Sequence, residues 1–460
     1  MARVVIVSNR TASPRDRSAR AGGLAVALRE ALQRGGGVWF GWSGEVTDTP
    51  AAEPKVQDAG NIRFATIDLT PEDHEAYYSQ FANGTLWPLC HYRLGLFEFR
   101  RASFEGYLRV NRLFAERLAP MLRPDDVIWA HDYHFFSLAA ALRDLGVRNR
   151  IGFFLHIPFP APEVLTVLPR HRRLLAHLCA YDLVGLQTDL DVLAFRNMLV
   201  REAGGTVGDD GAFHAFGQRG VVAAFPVGID TDGFARLAEA GVGGVEATRM
   251  RDSLAGRRLV IGVDRLDYSK GLPQRLEAFE MLLELRPEHR RNVTFMQVAP
   301  ISRGDVEQYR TLRKDLEGRI GHINGRFAEF DWAPVRYLNK AFPRQTLAGF
   351  YRAAAVGLVT PLRDGMNLVA KEYVAAQNGE DPGVLVLSRF AGAARELQQA
   401  LTVNPFDVEE VAEAIHQALT MPLAERRARW EEMMVTLRAH TSRRWCDAFL
   451  DRLAAVRVEA

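Results

Sequence analysis

The chain has 460 residues, more than one hydrophobic core holds, so two domains of roughly 200 residues each are expected. Hydrophobic residues make up 48% and charged residues 25%. With 58 basic against 56 acidic side chains, the formal net charge of +2 argues against nucleic-acid-binding and membrane-surface proteins.

The first apolar run, Val4 to Val7, is too short for a signal sequence and reads as a buried strand. No stretch approaches the ~18 apolar residues of a membrane span. Cys90, Cys179 and Cys446 lie too far apart for a metal-ligand spacing or a disulfide framework. A reducing, cytoplasmic location is expected. Further strands are predicted at Val127 to Ala130, Ile151 to Leu155 and Leu183 to Leu186, with helical patterns over Gly23 to Leu32 and Tyr107 to Leu118. The glycine-rich, alternating segment from Gly204 to Gly220 predicts a hairpin.

A second alternating series follows Phe225-Pro226-Val227-Gly228-Ile229-Asp230. Its predicted strands are Arg258 to Val263, Val293 to Val298, Val356 to Val359, Val384 to Leu387 and Leu401 to Val403. Asp407 and Glu410 have the spacing of a reciprocal capping box, and Leu423 to Val456 reads as helix. Strands alternating with helices predict an α/β protein of two Rossmann-like, doubly wound domains facing a cleft, with ligand chemistry just after the strands.

The unusual residues lie there. After the first strand come Ser8, Asn9 and Arg10, then Gly22 and Gly23 before a helix, where backbone amides can approach an anion; a plain helix-entry turn explains the glycines as well. His131-Asp132-Tyr133-His134 follows the strand at 127–130, and without cysteines or an H-E-x-x-H pattern it suits the wall of a sugar pocket better than zinc. His156, at the end of the next strand, reads on its own as a satisfied core histidine. Arg265 and Lys270 sit five apart in a strand-to-helix loop and can converge on a diphosphate, or remain solvated surface cations. Ala299 to Gly304 puts Arg303 after another strand. In Thr360 to Glu372, Asp364 is placed to cap a helix, and Glu372 falls four residues after Leu368 on one face, able to accept from two ribose hydroxyls or to do no more than cap. Asp189-Leu190-Asp191 has a metal-binding Asp-x-Asp form, but its position at a helix start is explained by capping.

These segments resemble the trehalose-6-phosphate synthases, retaining glycosyltransferases of the two-domain GT-B architecture. The motifs that match are Val7-Ser8-Asn9-Arg10, Trp39 to Gly44, Tyr77-Tyr78, Leu86-Trp87-Pro88, His131 to His134, Phe154 to Pro160, Asp267 to Gly271 and Thr360 to Tyr373. The resemblance runs from Val4 to about Phe449.

The resemblance implies an acceptor domain over 1–228, a nucleotide-sugar domain over 229–440, and a C-terminal helix, about 441–460, that crosses back near Trp445. It implies transfer of glucose from a nucleotide-glucose to glucose 6-phosphate, giving α,α-trehalose 6-phosphate. Arg10 and Arg303 would hold the acceptor's phosphate with Tyr78, while Trp87 and Asp132 would meet its ring. Arg265, Lys270 and the Gly22-Gly23 loop would grip the donor diphosphate, and Glu372 the ribose with Leu368 close by. Val298 and Phe342 would flank the base. Asp364, His156 and the amides of Gly365, Met366 and Asn367 would hold the transferred glucose.

A front-face, metal-independent mechanism without cofactor is implied, with Asp364 easily mistaken for a nucleophile. The resemblance further implies a homo-oligomer, dimer or tetramer, whose product passes to a separate phosphatase. UDP is the default base, with GDP and ADP open. Rival readings are a synthase using another phosphorylated acceptor such as glycerol 3-phosphate, and a non-catalytic sugar-phosphate sensor. A nicotinamide oxidoreductase lacks its G-x-G-x-x-G.

Overall fold

The computed structural model describes residues 2–11, 28, 29, 32, 36–301 and 307–456. The chain forms two compact units. One holds the described residues up to Pro226 and again from Arg443, and the other runs from Val227 to Ser442.

The first unit is built on a ten-stranded sheet. Its strands are β1 (Val4–Arg10), β2 (Gly37–Val46), β3 (Lys55–Ala59), β4 (Ile62–Leu69), β5 (Val127–His131), β6 (Arg150–Phe154), β7 (Leu183–Leu186), β8 (Thr206–Val207), β9 (Ala212–Ala215) and β10 (Gln218–Ala224). The order is β3-β4-β2-β1-β5-β6-β7-β10-β9-β8. The pairings from β4 through β10 are parallel, and β3, β8 and β9 add antiparallel edges. The chain leaves β1 for β2 on one side and returns to β5 on the other, so the switch point lies between β1 and β5. The predicted hairpin is instead an antiparallel β8-β9-β10 unit, whose last strand continues to Ala224 and pairs in parallel with β7.

The second unit carries six parallel strands in the order β13-β12-β11-β14-β15-β16. They are β11 (Arg258–Val263), β12 (Val293–Val298), β13 (Val335–Leu338), β14 (Val356–Val359), β15 (Val384–Ser388) and β16 (Leu401–Val403). Here the switch point lies between β11 and β14. Two cores cover the two faces. One contains Ile261, Val359, Leu387 and the helix residues Ala370 and Val374; the other contains Val260, Leu358, Val386, Leu276 and Ile415. Strands buried on both faces read as continuous apolar runs, and those runs gave the bounds of β7, β11, β12 and β14.

The C-terminal stretch breaks into two helices, Leu423–Ala439 and Ser442–Ala455. The break accommodates a parallel bridge between Ile229 and Thr441, with Ser442 N–H donating to the Ile229 carbonyl at 3.2 Å. The last helix packs on the first unit's sheet. Phe449 stacks on Trp129 at 4.5 Å and Trp445 meets Phe154 edge-on at 5.0 Å. Gly185 in β7 lets Phe449 sit flat on the sheet, because a Cβ there would lie 2.6 Å from its ring.

At the helix Val408–Thr420, Asp407 accepts the Glu410 N–H at 2.9 Å as expected. The reciprocal half is absent: the Glu410 carboxylate takes the Asn404 N–H, which lies further out along the turn. A full capping box occurs instead at Thr188 and Asp191, the second Asp of the Asp-x-Asp segment. Its other carboxylate oxygen accepts the Phe159 N–H at 2.9 Å.

Candidate active site

The second unit's predicted residues gather at its switch point. The loop after β11 turns on Asp267, whose carboxylate accepts the Ser269 N–H at 2.9 Å and the Tyr309 hydroxyl at 3.0 Å. Gly271 follows Lys270 with φ +66°, and a Cβ there would lie 2.5 Å from the Thr360 carbonyl, so this turn needs glycine on both counts. The turn places Lys270 Nζ 2.5 Å from Asp364 Oδ2. Arg265 is exposed, and its guanidinium has no partner among the described residues.

Asp364 does not cap the helix that follows. Asn367, at φ +72°, is the N-cap of Leu368–Ala376 and accepts the Ala370 N–H at 3.2 Å. Its amide donates to Asp364 Oδ2 at 2.9 Å. The two residues between them, Gly365 and Met366, form a loop that is fixed by backbone bonds from Asp364 to Phe390 and from Ala393 to Met366. Asp364 thus accepts a cation and an amide on one oxygen, an arrangement that lowers its nucleophilicity. Glu372 lies four residues along that helix and faces Arg344 at 3.4 Å, and burial holds its carboxyl above the usual range. Val298 is the buried last residue of β12, and Phe342 packs edge-on against Phe350 just before the helix Arg344–Ala353.

Beneath this loop set lies Arg275, completely buried in the helix Leu272–Leu285. Its guanidinium donates to Asp264 Oδ2 and Gln297 Oε1, both at 2.9 Å, to Thr360 Oγ1 at 3.2 Å and to the Lys270 carbonyl at 3.3 Å. One side chain therefore ties the ends of β11, β12 and β14 to the Lys270 turn. Sequence reasoning missed Arg275 and Arg344. Their only sequence signal is a basic residue at a position where a helix face is otherwise apolar.

In the first unit, Arg10 ends β1 with its guanidinium 5.5 Å from the Trp42 ring centre. Trp42 in turn lies 5.7 Å from Tyr78, which stacks on His134 at 6.0 Å. Tyr78 sits on a π-helix, His74–Leu86, a form that no apolar periodicity announces. Trp87 follows it, buried against His91 and Tyr133. Asp132 comes directly after β5 with φ +75° and ψ 169°, a conformation that side chains rarely adopt and that costs about 1–3 kcal/mol. Its carboxylate accepts the His156 N–H at 3.2 Å. The His156 ring lies against His131, and burial depresses its pKa to about 3. Gly22, Gly23 and Arg303 lie outside the described residues.

Two parallel sheets with post-strand loops of this composition fit a nucleotide-sugar enzyme, and comparison with known proteins decides the family. The model of glycosyltransferase family 20 matches residues 3–455. The chain belongs to glycosyltransferase family 20. It is 51% identical to a trehalose-6-phosphate synthase of Sinorhizobium fredii over 99% of both chains. An α,α-trehalose-phosphate synthase (UDP-forming) from Burkholderia xenovorans, solved in complex with glucose-6-phosphate, is 52% identical, with a TM-score of 0.95 over 98% of this chain and 100% of that one. A structure from E. coli bound with UDP-2-fluoro glucose is 47% identical, with a TM-score of 0.95 over 99% of both chains. The GT-B expectation holds for this family member.

No helix among the described residues is long and apolar enough to cross a membrane. The three cysteines are free and buried. Among the described residues the group able to hold a metal ion is Glu288, His289 and His416, none of which is a predicted site residue.

Proposed function

We propose that this chain transfers the glucosyl group of UDP-glucose to glucose 6-phosphate with retention, giving α,α-trehalose 6-phosphate and UDP. The observation that carries this reading is full-length identity near 50% to structures holding each kind of substrate, 52% for the glucose-6-phosphate complex and 47% for the UDP-2-fluoro glucose complex. In this reading acceptor recognition belongs to 1–228 with the C-terminal helix, and donor recognition to 229–440.

In the donor half-site, Lys270 and the exposed Arg265 stabilise the charge that grows on the leaving diphosphate, with the Gly22-Gly23 loop as a further anion contact. Glu372 accepts from the ribose, held in place by Arg344, with Leu368 beside it; Val298 and Phe342 border the base. Asp364 and the amides of Gly365, Met366 and Asn367 hold the transferred glucose, with His156 from the first unit. Lys270 and Asn367 both bond to Oδ2 of Asp364 and draw charge from the carboxylate, which makes it a poorer nucleophile. A front-face path, in which a leaving phosphate oxygen takes the acceptor's proton, needs no protein carboxylate at the anomeric carbon. In the acceptor half-site, Arg10 and Arg303 bind the phosphate with Tyr78, while Trp87 and Asp132 meet the sugar ring.

The test is a matrix of UDP-, GDP- and ADP-glucose against glucose 6-phosphate, other hexose phosphates, glycerol 3-phosphate and glucose, with products identified by mass and linkage. Trehalose 6-phosphate from UDP-glucose and glucose 6-phosphate is the expected leading product. A faster reaction with glycerol 3-phosphate, or turnover of none of the pairs, would overturn the reading.

A further inference from the structure

His131 and His156 are in direct contact, with Nδ1 of His131 3.0 Å from Nε2 of His156. Two imidazole nitrogens at that distance share one hydrogen, so one ring donates and the other accepts. Which ring donates fixes the tautomer of both, and the surroundings of His131 decide it. Its other nitrogen, Nε2, is buried with no partner among the described residues. The rings of Trp129, Phe154 and Trp445 surround it, and they offer no conventional acceptor. Were His156 the donor, the proton of His131 would sit on that sealed Nε2. A buried N–H without an acceptor is among the rarest defects of folded proteins, whereas a bare lone pair is better tolerated.

We propose that His131 is a positioning residue that donates from Nδ1 to His156 Nε2 and so holds His156 as the tautomer protonated on Nδ1. A doubly protonated pair is excluded by burial, which pushes both rings below their ordinary pKa. The consequence falls on the one nitrogen of the pair left for a ligand. Nδ1 of His156 has no protein partner among the described residues, and His156 is only partly buried whereas His131 is fully buried. In the fixed tautomer it is a hydrogen-bond donor, and it cannot serve as a base. The Asp132 carboxylate on the His156 N–H, and the Gln187 amide on the His156 carbonyl at 3.3 Å, hold the backbone from which this ring projects.

The donor N–H is therefore aimed at an oxygen of the bound sugar. That last step rests on the reading that His156 meets the transferred glucose; the tautomer itself does not.

The experiment is long-range ¹H–¹⁵N correlation of the imidazoles in the full chain, together with steady-state kinetics. His156 is expected in the Nδ1–H form in the wild type. In His131→Phe, which keeps an apolar ring but removes the donor, the ¹⁵N shifts of His156 should move toward the other tautomer. The same variant should lose about tenfold in kcat/KM for UDP-glucose, the worth of one neutral hydrogen bond, with the KM for glucose 6-phosphate unchanged. His131→Asn carries an amide N–H near the position of Nδ1 and should restore both the tautomer and most of the rate. It also keeps the test decisive if His131→Phe does not fold.

A wild-type His156 protonated on Nε2, or a tautomer unmoved by His131→Phe, would overturn the proposal. Loss of turnover without recovery in His131→Asn would reduce His131 to packing. If His156→Phe turned over UDP-glucose normally while the tautomer behaved as stated, the glucose contact would fail and the positioning would stand.

Discussion

The proposed donor and acceptor half-sites are built with opposite chemistry. In the second unit the side chains at and around the switch point are charged and paired: Arg275 with Asp264 at 2.9 Å, Lys270 with Asp364 at 2.5 Å, Arg344 with Glu372 at 3.4 Å, and the buried Lys371 with Glu396. In the first unit they are mainly neutral rings, stacked and sharing single hydrogen bonds: Trp42, Tyr78, His134, and the His131–His156 pair. The common device is backbone, since each site places an Asp or Asn at positive φ between a strand and the next helix, Asp132 directly after its strand and Asn367 directly before its helix. A charged framework suits a ligand that gains negative charge during reaction, and a neutral ring wall suits the uncharged ring of a sugar phosphate, whose phosphate is left to Arg10 at the wall's edge. It follows that removing one member of these pairs in the second unit strands a charge, whereas in the first unit it removes one hydrogen bond.

The sharpest way to break this contrast is at Arg275. Arg275→Met leaves Asp264 buried without its cation and should destabilise the protein by about 3–5 kcal/mol, read by urea unfolding. Adding Asp264→Leu should recover much of that loss, because the orphaned charge goes with it. A single variant as stable as the wild type would mean that the pair does not organise the strand ends.

Next come the two cations of the donor half-site, which separate chemistry from stability. Arg265→Ala and Lys270→Ala should each slow transfer by roughly 10²–10³. Only Lys270→Ala should also lower the melting temperature, since it leaves Asp364 without its cation, while Arg265 is exposed and has no partner among the described residues. Equal melting temperatures would contradict the view that Asp364 depends on Lys270.

How much of this was legible beforehand depends on burial. Strands buried on both faces announced themselves as apolar runs, and Leu183–Leu186 and Val356–Val359 are bounded as the sequence suggests. The exposed edge strand Lys55–Ala59 carries no such run, and in Gly37–Val46 the buried run Val38-Trp39-Phe40 is short and interrupted by Gly41; neither strand was foreseen. Loop residues with unusual chemistry, such as Lys270 and Asp364, stood out because charges just after a strand need a reason. Arg275 and Arg344 did not, because their partners lie far off in sequence, Asp264 with Gln297 and Thr360 for one, Glu372 for the other. The Asn367 cap was missed because Asp and Asn cap about equally well by type, and only the Ala370 N–H bond to Asn367 decides between them.

A smaller effect is expected at Glu372. Glu372→Gln keeps the shape and weakens hydrogen bonds to a charged acceptor, worth ~1.5–3 kcal/mol, so UDP-glucose affinity measured by calorimetry should fall by about one to two decades. Unchanged affinity with lost turnover would instead make Glu372 a base.

The smallest effect is a pH dependence that should belong to one half-site alone. Burial raises the Glu372 carboxyl above its ordinary value against the opposing pull of Arg344, so it protonates earlier than a solvated glutamate as the pH falls. In the proposed donor site its charged form accepts from the ribose, so affinity for UDP-glucose should weaken on the acid side as that form is lost. His156, depressed to about 3, stays neutral across the same range and contributes nothing to the limb. UDP-glucose is the right probe because its diphosphate is esterified at both ends and has no ionisation near neutrality, unlike UDP or glucose 6-phosphate. Asp264 is also raised by burial, but it is sealed against Arg275, away from ligand. Calorimetric titrations of UDP-glucose between about pH 5 and 8 should therefore show affinity falling toward acid in the wild type and in His156→Phe, and a flat profile in Glu372→Gln. A limb that survived Glu372→Gln and vanished in His156→Phe would reverse the assignment and with it the division into a charged and a neutral half-site.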